Sequence, residues 1–355
     1  VALDRKAIEA IFSQADQEGR HILLEHEVYA ILAAAGLLVP AHKFFTSLQD
    51  VTEKALANIP GDEVVVKVVS PNILHKTEFG GIRIVRRTEA AVREVLEDYN
   101  RKASAKSLGS VGALVCEKVN LFRGSGREYL LSLRVDRAFG PVIAFGLGGV
   151  LTEYWGENLK EGRSLTVRTT ADLSGDGPRI AREVVDTTVA GDFLAGRVRG
   201  QDGPLVPPGT ADRSLLAMKD LAEAFSPLCG DSPWTLEELE VNPLAVDSWG
   251  RLVGLDGLGH FSKHKYQIKP RPVKALRSLL DPKSILVIGA SGKSVNPGRI
   301  ILRNLLSSER YSEDNLYLLH HKEESIDGIR CVAEPSSLPD GIDMAVVTIP
   351  ASEEA

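Results

Sequence analysis

The chain has 355 residues, 43% hydrophobic and 25% charged, the balance of a folded globular protein with room for two or three domains, which excludes disorder as its main state. Lys and Arg number 42 against 48 Asp and Glu, so the net charge of -6 argues against a dedicated nucleic-acid binder, and a nucleic-acid partner is not expected. Cys116, Cys229 and Cys331 are scattered without a C-x-x-C pair, no apolar run nears the roughly 18 residues of a membrane span, and VALDRKAIEAIF mixes charges where a secretory signal needs a continuous apolar core; disulfides, a zinc site and a membrane partner are not expected, and a cytoplasmic location is.

In chain order, residues 21–38 place Leu24, Val28, Ile31, Leu32 and Ala35 on one helical face, and Gly36 supplies a stop. EVVVKVVS at 63–70 predicts a buried strand, GGIRIVRR at 80–87 its hairpin partner, and 88–103 a helix with Glu89 and Glu94 outward. Further strands are predicted at 113–119, 128–136, 141–149, 238–246 and 251–257, with helices at 178–196 and 211–228 between the earlier and later ones. The sum is an α+β domain over 1–257 with subdomains.

From Gly257 to Leu280 there is no acidic residue, while Lys263, Lys265, Lys269, Arg271, Lys274 and Arg277 gather around Pro270 and Pro272. Residues 258–282 therefore form a basic linker, either solvated and kept extended by proline or a docking point for a polyanionic cofactor or acidic surface. From 283 to 355 the pattern becomes βαβ, with strands at 284–291, 315–321 and 343–351 and a helix at 297–306. This is half of an open parallel sheet, an incomplete Rossmann-like domain expected to continue beyond Ala355.

Lys67 ends a buried run and is followed by His75, Lys76 and the Gly80-Gly81 pair. Lysines arriving from a strand and backbone amides at a glycine turn suit neutralisation of nucleotide phosphates. The alternative is an edge-strand lysine beside an ordinary turn. In ELEVNPLAV, Glu240 and Asn242 are two apart on one strand and share a face, with Asp256 on an antiparallel partner; three such oxygens suit Mg²⁺ completed by phosphate and water, the alternative being hairpin solvation. In FGPVIAFGLGG, Gly146, Gly148 and Gly149 allow close backbone approach to a phosphate.

GASGKS at 289–294 is not a Walker A loop, because Val287 stands where its first glycine belongs. Nor is it a full dinucleotide fingerprint, since Ser291 replaces the second glycine and His320, His321 and Lys322 end the next strand instead of an acid. A dehydrogenase is disfavoured, and a more anionic ligand such as coenzyme A fits better, with Gly289, Ser291 and Lys293 approaching its diphosphate or ribose end.

Together VVVKVVSPNILHKTEFGG, DRAFGPVIAFGLGGVLTE and ELEVNPL followed by LDG resemble the nucleotide-binding half of the NDP-forming acyl-CoA synthetases, relatives of succinyl-CoA synthetase with an ATP-grasp fold. VIGASGKSVNPGRIILRNLL with LPDGIDMAVVTIPA resembles the start of that family's CoA-binding domain. The resemblance implies an ADP-forming acid-CoA ligase that uses ATP, Mg²⁺ and coenzyme A and passes through a phosphohistidine and an acyl phosphate. It also implies a further ligase domain, in the same longer chain or a second subunit, carrying the main phosphorylated histidine, and an oligomeric assembly.

Carried over by position, the resemblance puts Lys67 on ATP phosphates, Glu117 and Val119 at the adenine strand, and Asn242 with Asp256 on magnesium. Glu240 stands where the family usually has aspartate. His75 resembles the second histidine that relays phosphate, which a neutral imidazole can do; a structural polar histidine is the alternative. Glu153 could orient a phosphohistidine, or be an ordinary surface acid. A CoA- or nucleotide-sensing module that has lost turnover is the competing function; it would have no need of Lys67, His75, Asn242 and Asp256, and all four are present.

Overall fold

The computed structural model describes residues 3–73, 76–122, 127–266 and 273–349. His75 and the centre of the basic linker, with Lys269 and Arg271, lie outside the described residues. The chain divides into two units, Val1–Gln267 and Ile268–Ala355.

The first unit holds two antiparallel sheets. The larger runs Ile22–Leu23, Gly257–Ser262, Thr235–Val246, Glu128–Asp136, Gly140–Leu147, Leu165–Thr169, with Leu252–Gly254 also paired to Thr235–Val246. Helix Arg5–Gln17 lays Ile8, Phe12 and Ala15 into its core at helical spacing. The Phe12 ring packs edge-on to Phe225 at 5.2 Å and stacks on Phe261 at 5.0 Å.

The smaller sheet runs His42–Phe45, Gly112–Glu117, Glu63–Val69, Ile82–Arg86. Alternation divides strand Glu63–Val69 between two faces. Val64, Val66 and Val68 pack with Val92, Val95, Leu96 and Tyr99 of helix Glu89–Ala105, and the Tyr99 hydroxyl donates to the Val66 carbonyl at 2.9 Å. Val65 and Val69 instead join Tyr29, Leu114 and Cys116 in a separate cluster. Lys67 shares that second face, which carries it toward helix Glu25–Ala34.

Several sequence expectations change. The helix over 178–196 breaks at Thr188, whose backbone is extended, into Gly177–Thr187 and Val189–Leu194. The helix over 21–38 narrows to Glu25–Ala34, because Ile22–Leu23 pairs with His260 and Gly259 as a short strand; Gly36 ends the turn after it at φ +82°. The strand over 251–257 breaks into Leu252–Gly254 and the start of Gly257–Ser262. Strands Glu63–Val69 and Ile82–Arg86 do pair, but across helix Lys76–Phe79 instead of a tight turn. The strand bearing Lys67 has neighbours on both sides, so it is not an edge.

In the second unit, Ile329–Val332, Leu316–Leu319, Ile285–Ile288 and Met344–Val347 form a parallel sheet, and Ser325–Ile326 adds antiparallel to Ile329–Val332. Asp327-Gly328 makes that two-residue hairpin with φ +47° and +90°, a turn Asp-Gly suits. Leu302 of helix Pro297–Leu306 is fully buried against this sheet's apolar side chains.

Candidate functional site

Lys67 and Glu25 meet because each is the one buried charge on an otherwise apolar stretch of its strand or helix face. Glu25 opens its helix four residues before Tyr29, on the turn that also buries Val28 and Leu32. Its side chain is 1% exposed and that of Lys67 9%. The Lys67 ammonium donates to Glu25 Oε1 at 2.6 Å, to the Tyr29 hydroxyl at 3.1 Å and to the Leu255 carbonyl, so all three of its N–H bonds have protein acceptors. Tyr29 Oη also donates to the Leu255 carbonyl at 2.5 Å.

Lys76 donates to the other oxygen of Glu25, Oε2, and to Asp256 Oδ1 at 2.6 Å. One carboxylate thus ties two lysines, and the second lysine reaches the residue expected to bind metal. Burial pushes the Glu25 carboxyl up, but the adjacent Lys67 and Lys76 charges prevail and hold it below the usual range. Burial likewise opposes the charged form of Lys67, and Glu25 with Asp256 reverses this and raises it. The nearby Cys116 thiol, by contrast, is pushed up to about 12, chiefly by burial, and stays protonated at neutral pH.

This network borders a cavity of about 280 Å³ lined by Glu25, Ser70, Lys76, Glu240, Asn242 and Asp256, among others. Asn242 Oδ1 accepts from the Gly149 amide at 2.7 Å, its Nδ2 donates to Glu240 Oε1 at 3.3 Å, and its backbone amide donates to the Asp256 carbonyl at 3.2 Å. The Gly257 amide donates to Asp256 Oδ1 at 2.8 Å. Two carboxylates and an amide oxygen facing one cavity are the hard donors a divalent cation takes, leaving further positions for phosphate and water. The donor set therefore fits magnesium.

The other expected residues lie differently. The Gly80 and Gly81 amides already donate to Thr77 O and Lys76 O, and a Cβ on Gly81 would sit 2.2 Å from Val68 Cγ1. Glu117 Oε2 accepts from the Ala41 amide at 3.3 Å, and Val119, two residues on, is half-buried. Glu153 is exposed in the first turn of helix Thr152–Asn158. Gly146, Gly148 and Gly149 have no room for a Cβ: Ser164 O, Tyr129 backbone and Glu128 Oε2 would each lie within 2.5 Å of it.

Sequence reasoning missed Glu25, Tyr29 and the Leu255 carbonyl. The first was detectable as an acid on an otherwise apolar helical stripe. A backbone carbonyl leaves no mark in a sequence.

In the second unit, Ser291 Oγ accepts from the amides of Lys293 and Ser294 at 3.2 Å each. Asn296 caps helix Pro297–Leu306 through Arg299 N and donates to the Gly289 carbonyl at 2.6 Å. Gly289 is left-handed at φ +94°, Gly298 has no space for a Cβ beside Ala290, and Lys293 is exposed. His320 Nδ1 accepts from the amides of Lys322 and Glu323 at 3.2 and 3.0 Å, which places the proton of the neutral ring on Nε2.

Residues 14–257 match the family model of the ATP-grasp domain, more than half of the chain. The chain belongs to the ATP-grasp family. Residues 283–354 match the CoA binding domain, so the ATP-grasp domain precedes a CoA-binding domain of α/β fold. The chain is 29% identical over 332 residues to acetate-CoA ligase (ADP-forming) II of Archaeoglobus fulgidus, covering 93% of this chain and 43% of that protein. It is 28% identical over 248 residues to 4-hydroxybutyrate-CoA ligase (ADP-forming) of Nitrosopumilus maritimus, covering 68% and 31%. It thus spans under half the length of these two curated relatives. The beta subunit of the Pyrococcus furiosus acetate-CoA ligase (ADP-forming) II is 28% identical over 243 residues, which cover 68% of this chain and 90% of that subunit.

Among solved structures, acetyl-coenzyme A synthetase 1 of Ca. Korarchaeum cryptofilum, in complex with coenzyme A, Ca-AMPCP and HgCl⁺, shares the fold. It superposes with a TM-score of 0.56 at 23% identity, covering 72% of this chain and 99% of that one. No described helix is long and apolar enough to cross a membrane.

Proposed function

We infer that this chain is the nucleotide- and CoA-binding part of an ADP-forming acid-CoA ligase. The reaction converts a carboxylic acid, ATP and coenzyme A reversibly into acyl-CoA, ADP and phosphate. The observation that carries this reading is the pair of lysines, Lys67 buried and Lys76 half-buried, fixed by Glu25 at a cavity that also gathers Asn242, Asp256 and Glu240. Polyphosphate binding needs such preorganised positive charge, and here desolvation sharpens it.

Each residue then has a task. Lys76, with two protein acceptors among the described residues, has a third N–H for a phosphate oxygen. Lys67, fully bonded, supplies positive charge from behind. Asn242, Asp256 and Glu240 would hold magnesium, which when bound neutralises phosphate charge. Glu117 and Val119 would border the adenine. His75 would take the phosphoryl group and pass it on, with Glu153 orienting the histidine that meets it. In the second unit, Gly289, Ser291 and Lys293 would receive the CoA diphosphate beside the capped helix start.

The acid needs no strong base, being ionised at neutral pH, and the CoA thiolate attacks an activated acyl phosphate. We place the domain limits at 1–257 and 283–355 with a basic connector at 258–282, and the work in the cytoplasm. The partner is a CoA-ligase domain, in the same longer chain or as a second subunit, within an oligomer. The beta subunit named above, which this chain matches over most of its length, supports that partnership.

The test is transfer of label from γ-labelled ATP with Mg²⁺, with and without the ligase domain, in wild type and His75→Ala. Acid-labile, base-stable label that requires His75 is expected. ATP binding without label under either condition sinks the relay and favours a nucleotide-sensing module.

A further inference from the structure

The carboxylate that Lys76 holds is one the metal would need. Asp256 Oδ1 lies 2.6 Å from the Lys76 ammonium and 2.8 Å from the Gly257 amide, while Lys76 also grips Glu25 Oε2. A magnesium ion demands ligand oxygens at roughly 2.0–2.1 Å and binds them as a dication. An ammonium and a dication on one carboxylate oxygen repel each other strongly, and this carboxylate is 30% exposed, where screening by water is incomplete.

We propose that Lys76 is an internal placeholder for the divalent cation, occupying Asp256 until metal-bound nucleotide arrives and then passing to the phosphate. The inference rests on the nucleotide-site reading above and extends it to the order of binding. Without a placeholder, Glu240 and Asp256 would face each other's charge across the cavity beside buried Glu25, three carboxylates against the single ammonium of Lys67. With it, the charges nearly balance. Glu25 makes the exchange local: bonded to Lys76 through its second oxygen, it keeps the displaced ammonium at the cavity wall, one side-chain rotation from a phosphate.

The consequence is that free divalent metal binds this chain poorly, and metal with nucleotide binds well, because the phosphate gives Lys76 a new partner as the metal takes Asp256. Removing the ammonium should narrow this difference.

The experiment titrates Mn²⁺ into the full chain, following free Mn²⁺ by electron paramagnetic resonance, first alone and then with saturating ADP. The proteins compared are wild type, K76Q, K76R and K76Q/D256N. Without nucleotide, K76Q is expected to bind Mn²⁺ at least about tenfold more tightly than wild type, the scale of one modest charge repulsion removed. K76R should behave as wild type, and K76Q/D256N should lose the gain, which assigns it to Asp256 and not to a surface site. ADP should tighten Mn²⁺ binding in wild type more than in K76Q.

Equal Mn²⁺ affinity in wild type and K76Q, with ADP binding intact, overturns the placeholder alone. Failure of wild type to bind ADP overturns the nucleotide reading, and the placeholder with it. Thermal melts of all four proteins confirm that the comparison is between folded molecules.

Discussion

The two units hold their candidate sites by opposite means. In the first, charged side chains neutralise one another across long chain separations: buried Glu25 and Lys67 are 42 residues apart, half-buried Lys76 and Asp256 180. In the second, neutral side chains cap backbone groups within a few residues, as Asn296 does to Gly289, seven positions away. Charge there is peripheral, in the Arg299 and Arg303 pairs with Asp327 at 2.6 and 2.8 Å. A site of the first kind is strong only while its partners stay paired and dry, since a lone buried charge is costly. A site of the second kind is set by loop geometry and tolerates solvent.

The sharpest way to break this contrast is Glu25→Ala, which leaves the buried Lys67 ammonium and the half-buried Lys76 ammonium without their common partner. Losses of about 3–5 kcal/mol are usual when one member of a buried pair is removed. All three tryptophans, Trp155, Trp234 and Trp249, belong to the first unit, so guanidinium unfolding followed by tryptophan fluorescence reads that unit alone. A loss below about 1 kcal/mol would mean the network is no stronger than a surface pair.

The same contrast explains what the sequence let one read. Glu240 and Asn242 could be grouped because strand alternation is local, and Asp256 because it follows on the antiparallel partner of their strand. Lys67 announced itself as the one charge in a run of valines. Glu25 did not, since its partners are 42 and 51 residues away and a helix start is an ordinary place for an acid. Helix Arg5–Gln17 and strand Leu165–Thr169 escaped for a different reason: the first buries only Ile8, Phe12 and Ala15, and the second only Thr166. The βαβ order of the second unit was readable because its strands are apolar runs, but Ile285–Ile288, Leu316–Leu319 and Met344–Val347 are each about half as long as expected, and Ser325–Ile326 with Ile329–Val332, short and mixed in polarity, went unforeseen.

Glycine substitutions should cost the two units alike, which sharpens the contrast by showing that packing is common to both. Gly81→Ala would drive its Cβ to 2.2 Å from Val68 Cγ1, and Gly298→Ala to 2.7 Å from the Ala290 amide nitrogen. Overpacking of this kind costs about 1–3 kcal/mol. Tryptophan-detected unfolding should register only the first, and amide exchange in Ile285–Ile288 and Leu316–Leu319 only the second. A fluorescence shift with Gly298→Ala would show the units to be energetically linked.

Titration separates the units next. The lowered Glu25 carboxyl contributes stability that is present above the ordinary glutamate value of about 4.3 and lost as pH falls through its own lower value. The raised Lys67 ammonium contributes stability present below about 10.4 and lost as pH rises through its own higher value. The contribution of this pair should therefore be flat between these limits and fall on both sides. Glu25→Gln should remove this carboxylate's share of the acid fall and weaken the alkaline one, because Lys67 loses its partner. An unchanged profile in Glu25→Gln would assign the titration to other groups.

Salt should produce the smallest effect and the clearest difference in kind. Asp327 lies well below the usual carboxylate range through its hydrogen bonds to Arg299 and Arg303. The Arg303 side chain is half exposed, so counter-ions reach this network, whereas those of Glu25 and Lys67 are 1% and 9% exposed. With a screening length near 3 Å at about 1 M salt, the exposed Arg303 pair weakens, the half-buried Arg299 pair less, and the buried one not at all. Asp327→Asn keeps a residue that tolerates the left-handed φ of +47° and removes only the charge. Its destabilising effect, read as amide exchange in helix Pro297–Leu306, should be small at low salt and shrink at about 1 M, while the Glu25→Ala deficit persists at both. If the Glu25→Ala deficit also faded with salt, water and ions would have access to the lysine pair, and the desolvation that sharpens its charge toward a nucleotide would not exist.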